Sequence, residues 1–148
     1  FFYLKRYASA IPNYSEAIYI NDKMTESRNF RGRSYFYTKQ YALAEMDFEY
    51  LSKIFEGNYY AINGLGLCAY EMGDYPKAVK YFEQVITLSN QEYYKFNLAM
   101  AYYKNDQLKK ERDVGGHLSI PNKVLLHEIL QAFCFFNYFT ACLSLKLF

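Results

Sequence analysis

The sequence predicts an all-α fold, a right-handed solenoid of helix–turn–helix repeats that ends in an apolar C-terminal helix. Three observations predict it. Related residues recur every 34 positions, apolar residues within each repeat are spaced by three and four, and only 3 prolines and 7 glycines interrupt the 148 residues. A helix pair of this length cannot bury its own apolar face, so neighbouring pairs must stack on one another.

The period is visible in several independent series of residues. The aromatic and small residues that repeat are Tyr7, Tyr41 and Tyr75; Ala10, Ala44 and Ala78; and Tyr14, Phe48 and Phe82. Gly32 and Gly66 are also 34 residues apart. Small residues at fixed positions predict places where two helices approach so closely that a larger side chain would separate them.

Residues 59–91 show most clearly why each repeat should contain two helices. Apolar residues occur three and four positions apart on both sides of Gly73-Asp74, as expected for one face of each helix. Gly73 can adopt the left-handed conformation that ends a helix, and Asp74 can cap the next one. Pro76 then falls in the first turn, where no backbone hydrogen bond is lost.

These residues resemble the tetratricopeptide repeat (TPR) family. The motif is carried by Leu65-Gly66, Tyr75, Ala78 and Phe82, and residues 59–91 match it best. The resemblance divides the rest of the chain into the second half of a truncated repeat (1–24), a repeat with Arg31 where leucine is usual (25–58), the first helix of a degenerate repeat (92–110), a linker (111–120) and an apolar C-terminal helix (121–148). Because the sequence begins in mid-repeat and without methionine, we expect it to be a fragment.

The resemblance implies a non-enzymatic scaffold that binds a peptide or a helix of another protein in a concave groove. The residues expected to line that groove are Asn29, Arg33, Phe36, Tyr60, Asn63, Leu67, Tyr70, Tyr93, Phe96, Met100 and Tyr103. Asparagine amides can bond the backbone of an extended peptide, and tyrosine provides rigid apolar contact. The alternative is that many of these rings only pack between helices. The basic clamp with which relatives bind chaperone tails is missing, because Arg33 is its only cation here.

Other classes of function have little support. A net charge of +2 argues against nucleic acid as a partner, and with it against the pentatricopeptide repeats that read RNA. His117 and His127 lie near no catalytic or metal-binding pattern, so neither an enzyme, a metal nor a cofactor is expected. Three cysteines without CxxC spacing suit a reducing, cytoplasmic location.

The tail departs from the family pattern. Residues 129–145 carry no charge, whereas solenoids usually end in a helix with a polar outer face. Three interpretations remain open. The tail packs on the last repeat or on a second copy, giving a homodimer; it anchors a cytoplasm-facing adaptor in a membrane; or it comes from a misread exon boundary.

Overall fold

The computed structural model describes residues 2–89 and 91–112, which form six α-helices and no β-strand. The helices are α1 (Phe2–Ile20), α2 (Thr25–Tyr37), α3 (Tyr41–Ile54), α4 (Tyr59–Glu71), α5 (Tyr75–Leu88) and α6 (Glu92–Arg112). The predicted all-α class is therefore confirmed for this part of the chain. The predicted apolar helix at 121–148 lies outside the described residues. The predicted linker at 111–120 overlaps the end of α6 by two residues.

Each helix packs against the next one along the chain, from α1 to α6. In addition, α2 contacts α4 and α4 contacts α6. The pairs α2–α3 and α4–α5 occupy the segments 25–58 and 59–91 that the repeat pattern marks out. As a result α2, α4 and α6 lie side by side, and the residues that face away from α3 and α5 share one surface.

The turns inside the two pairs have the same design. Gly73 has a φ of 81°, and Lys39, which lies 34 residues earlier, has a φ of 62°. In both turns a backbone N–H reaches back to a carbonyl five residues earlier, at 2.9 Å from Asp74 to Ala69 and 2.8 Å from Gln40 to Tyr35. The predicted start of α5 is confirmed, since the Asp74 carboxylate accepts from the Lys77 N–H and Pro76 lies in the first turn.

Glycines allow the closest approaches between helices. A Cβ atom on Gly66 would lie 2.6 Å from the ring of Phe82, and one on Gly64 would lie 2.7 Å from the ring of Phe48. Gly32 is similarly close to Phe48, at 3.2 Å. The first contact joins α4 to α5 and the second joins α4 to α3, so the prediction that glycines mark tight crossings is confirmed.

The core holds an ion pair where the family pattern expects an apolar contact. The Asp47 side chain on α3 is buried and accepts two hydrogen bonds from Arg31 on α2, at 2.7 and 2.8 Å. Ser15 on α1 accepts a third bond from the same guanidinium, at 3.2 Å. Arg31, noted above as an exception to the motif, therefore connects three consecutive helices.

Candidate peptide-binding groove

A groove of about 710 Å³ runs across the surface formed by α2, α4 and α6. It is lined by Asn29, Arg33, Phe36 and Tyr37 of α2, Phe48 of α3, Tyr60, Asn63, Gly64, Leu67 and Glu71 of α4, and Tyr93 and Tyr94 of α6. The residues that were also expected from the sequence are Asn29, Arg33, Phe36, Tyr60, Asn63, Leu67 and Tyr93. The structure thus brings these seven side chains together, although the site itself stays a prediction.

The remaining predicted residues fall into two groups. Tyr70, Phe96 and Met100 line a smaller cavity of about 160 Å³ between α4, α5 and α6, which shares Leu67 and Glu71 with the groove. Tyr103 is 44% exposed and is not among the residues that line either space.

Tyrosine rings form one wall of the groove. Tyr60 and Tyr93 are 62% and 56% exposed, whereas Tyr94 is only 3% exposed. Tyr59 lies between them, with ring centroids 4.3 Å from Tyr60 and 5.9 Å from Tyr94. Tyr93 contacts Tyr94 in turn, at 5.4 Å. The two exposed rings are therefore held in place by partly or fully buried ones, and their free faces remain available for contact.

Two asparagines hydrogen-bond each other at the floor of the groove. The Nδ2 of Asn97 donates to the Oδ1 of Asn63 at 3.1 Å, and both residues are buried. Within residues 2–89 and 91–106, no side-chain N or O atom that is fully buried lacks a hydrogen-bond partner. The Asn63 Nδ2, which has no protein acceptor among these residues, is therefore reached by solvent. It can donate to a ligand.

Sequence reasoning missed the partnership of Asn63 with Asn97. The signal that could have found it is the period itself, because Asn29, Asn63 and Asn97 follow one another at intervals of 34 residues. It also missed Glu71, which lines the groove and accepts a hydrogen bond from the Tyr41 hydroxyl at 3.2 Å.

The part of the chain that the structure describes contains no group of three or more His, Cys, Asp or Glu side chains that could hold a metal ion. Its cysteine, Cys68, is fully buried, and burial, helped by Glu45 and Glu71, raises the pKa of the thiol to about 12. Such a cysteine stays protonated at neutral pH and is a poor nucleophile. His117 and His127 lie outside the described residues. No helix within 2–89 or 91–112 has both the length and the apolar character needed to cross a bilayer.

Two comparisons with known proteins bear on these observations. The family model of the tetratricopeptide repeat matches residues 59–90, which span α4 and α5. No curated protein matches the chain. The predicted resemblance to the tetratricopeptide repeat family is confirmed over this segment, with α4 and α5 as the helix pair that carries it.

Proposed function

We propose that the chain is a non-enzymatic interaction scaffold that binds a peptide or a helix of another protein in the groove across α2, α4 and α6. Tetratricopeptide repeats generally bind other proteins, and this coarse function follows from the family match. The observation that carries the finer proposal is the pair of exposed rings, Tyr60 and Tyr93, on a groove wall built from buried ones.

The polar groups of the groove suit a peptide backbone. Asn29 lines the groove, and within the described residues its amide makes no protein hydrogen bond, so it can both donate and accept. Asn63 adds a donor beside it on α4. Aromatic side chains contribute large contact area at a small cost in conformational entropy, which is why tyrosine is common in binding surfaces.

The test uses a library of random peptides displayed on phage, selected against the full chain and then measured as free peptides by fluorescence polarisation. Tyr60→Ala together with Tyr93→Ala should weaken binding of the selected peptides at least about tenfold, because exposed anchor rings contribute most of the binding energy. Both rings project from the surface, so the helical circular dichroism should not change.

The matched control is Tyr19→Ala together with Phe55→Ala. It also removes two exposed rings, but from surfaces outside the groove, and it should bind like the wild type. Equal loss in both double variants, or a library that yields no binding peptide, would show the proposal to be wrong. Asn63→Ala is a less suitable test because it would leave the Asn97 amide without its partner.

The membrane-adaptor alternative and the predicted homodimer both depend on the tail. Residues 129–145 lie outside the described residues, so no contact in the structure favours either one. A cytoplasmic location likewise remains a prediction from the composition.

A further inference from the structure

We propose that the peptide bound in the groove carries an acidic side chain, Asp or Glu, which is held by Arg6 and Arg33 in a separate cavity between α1 and α2. This inference rests on the proposed function, because it assumes that a peptide occupies the groove. It assigns a role to Arg6, which was not among the predicted site residues.

The cavity has a volume of about 400 Å³ and contains cations without anions. It is lined by Arg6, Tyr7, Ala10 and Tyr14 from α1 and by Phe30, Arg33 and Ser34 from α2. None of these residues is acidic. A carboxylate that enters would therefore meet two guanidinium groups, which bind carboxylates through paired, charge-assisted hydrogen bonds.

These two arginines differ from their neighbours in having no carboxylate partner. Arg28 and Arg31 both form ion pairs with Asp47. Among the described residues, no carboxylate oxygen lies within 4.0 Å of Arg6 or Arg33, and both side chains belong to exposed residues. The charge of the cavity is thus available to a ligand.

Arg33 connects the cavity to the groove, because it lines both. A peptide that contacts Tyr60 in the groove can therefore extend past Arg33 toward α1. The aromatic walls of the cavity, where the rings of Tyr14 and Phe30 stack with centroids 5.8 Å apart, reduce the access of water. An ion pair formed beside them is screened less than one on an open surface.

The experiment compares peptides selected by three forms of the full chain from the same phage library, in which the C-terminus of each peptide is fused to the phage coat. The wild type should enrich peptides with Asp or Glu at one fixed position. Arg6→Glu together with Arg33→Glu should instead enrich Lys or Arg at that position. Lys5→Glu together with Lys80→Glu is the control, because it changes the net charge equally but outside the cavity, and it should select the same peptides as the wild type.

Free peptides then measure the effect. Replacing the selected Asp or Glu by Asn or Gln should weaken wild-type binding about tenfold at low salt, and less at 1 M salt. In the Arg6→Gln, Arg33→Gln variant, the acidic and neutral peptides should bind equally. This neutral variant also keeps the test decisive if the charge-reversed chain does not fold.

The outcomes separate the two proposals. If the wild type selects peptides that depend on Tyr60 and Tyr93 but show no acidic preference, the inference about Arg6 and Arg33 is overturned and the groove stands. The same holds if the control pair changes the preference as much as the arginine pair does. If no peptide is selected at all, the proposed function itself is wrong.

Discussion

The ion pair of Arg31 and Asp47 occupies a place that the next repeat fills with apolar atoms. The residues 34 positions later are Leu65 and Tyr81, and both belong to the same hydrophobic cluster. The bonds to Asp47 raise the pKa of the Arg31 guanidinium, so this charge is retained at every pH at which the chain folds. Two adjacent repeats therefore stabilise one structural position in two ways.

Exchanging one solution for the other is a direct test of this equivalence. Arg31→Leu alone should lower the free energy of unfolding by about 3 kcal/mol, because Asp47 would keep only the more distant Arg28, at 3.7 Å. Arg31→Leu with Asp47→Tyr, which copies the second repeat, should recover most of that loss. Urea unfolding of both single variants and the double variant measures the coupling. A double variant as unstable as the sum of the two single variants would contradict the prediction.

The partner of Arg31 could have been predicted from the sequence by a further step. Gly32 contacts Phe48 and Gly66 contacts Phe82, and both pairs are 16 residues apart, as are Arg31 and Asp47. The motif marks Arg31 as an exception, but a single position does not show which residue lies opposite it. The separation across a helix pair supplies that information.

At the scale of the helix pair, the two internal turns differ only in the residue that adopts the left-handed conformation. This residue is Gly73 in one turn and Lys39 in the other. A residue with a Cβ atom is strained there by about 1 kcal/mol relative to glycine. The sequence predicted the first turn, because glycine, an acidic cap and proline form a local signal. The second turn has no such signal and is apparent only from its place one period earlier.

Reciprocal substitutions should move stability in opposite directions. Lys39→Gly should raise the free energy of unfolding by up to about 1 kcal/mol, since the relief of strain exceeds the added flexibility of the unfolded chain. Gly73→Ala should lower it by about 1 kcal/mol or more. Urea unfolding of both variants checks the pair, with Lys53→Gly near the end of α3 as a control that should only destabilise. A loss of stability in Lys39→Gly would contradict the assignment of strain.

For the molecule as a whole, the abundance of buried tyrosine controls its response to alkali. Burial is the main cause that raises the pKa of Tyr41, Tyr70, Tyr94 and Tyr102, the last to about 12 from an ordinary value of 10.0. The pKa of Cys68 rises from 9.0 to about 12 for the same reason. In each case the folded chain holds its proton more tightly than the unfolded chain does.

Stability should therefore be lost at high pH. A group whose pKa is raised by folding stabilises the fold fully below its unfolded value, and this contribution disappears as the pH rises through the folded value. We expect the free energy of unfolding to decline from about pH 9, where Cys68 begins to contribute, and more steeply from pH 10 to 12. Urea unfolding at a series of pH values measures it, and Cys68→Ala should remove the earliest part of the decline. A stability that stays constant to pH 12 would show that the rings ionise freely in the folded chain.

The architecture of the described residues was largely predictable, because it follows from a period that many residues share. Its binding surface was less so. The groove residues came from the position of the first helix of each pair, but Asn97, Glu71 and Arg6 depend on how neighbouring helices pack, which one repeat taken alone does not reveal. The predictions for residues 113–148 were not tested by the structure.

The difference between the two repeats also bears on how the chain finds its correct partners during folding. Similar repeats can mispair, with a helix packing on the counterpart of its true neighbour one period away. If α2 packed on α5 instead of α3, Arg31 would face Tyr81 and lose its bonds, while Asp47 would be left beside an apolar helix. An unpaired charge in such a place costs several kcal/mol. The polar pair therefore acts as a label that distinguishes α3 from α5, and it disfavours exchange of helices between repeats or between two copies of the chain.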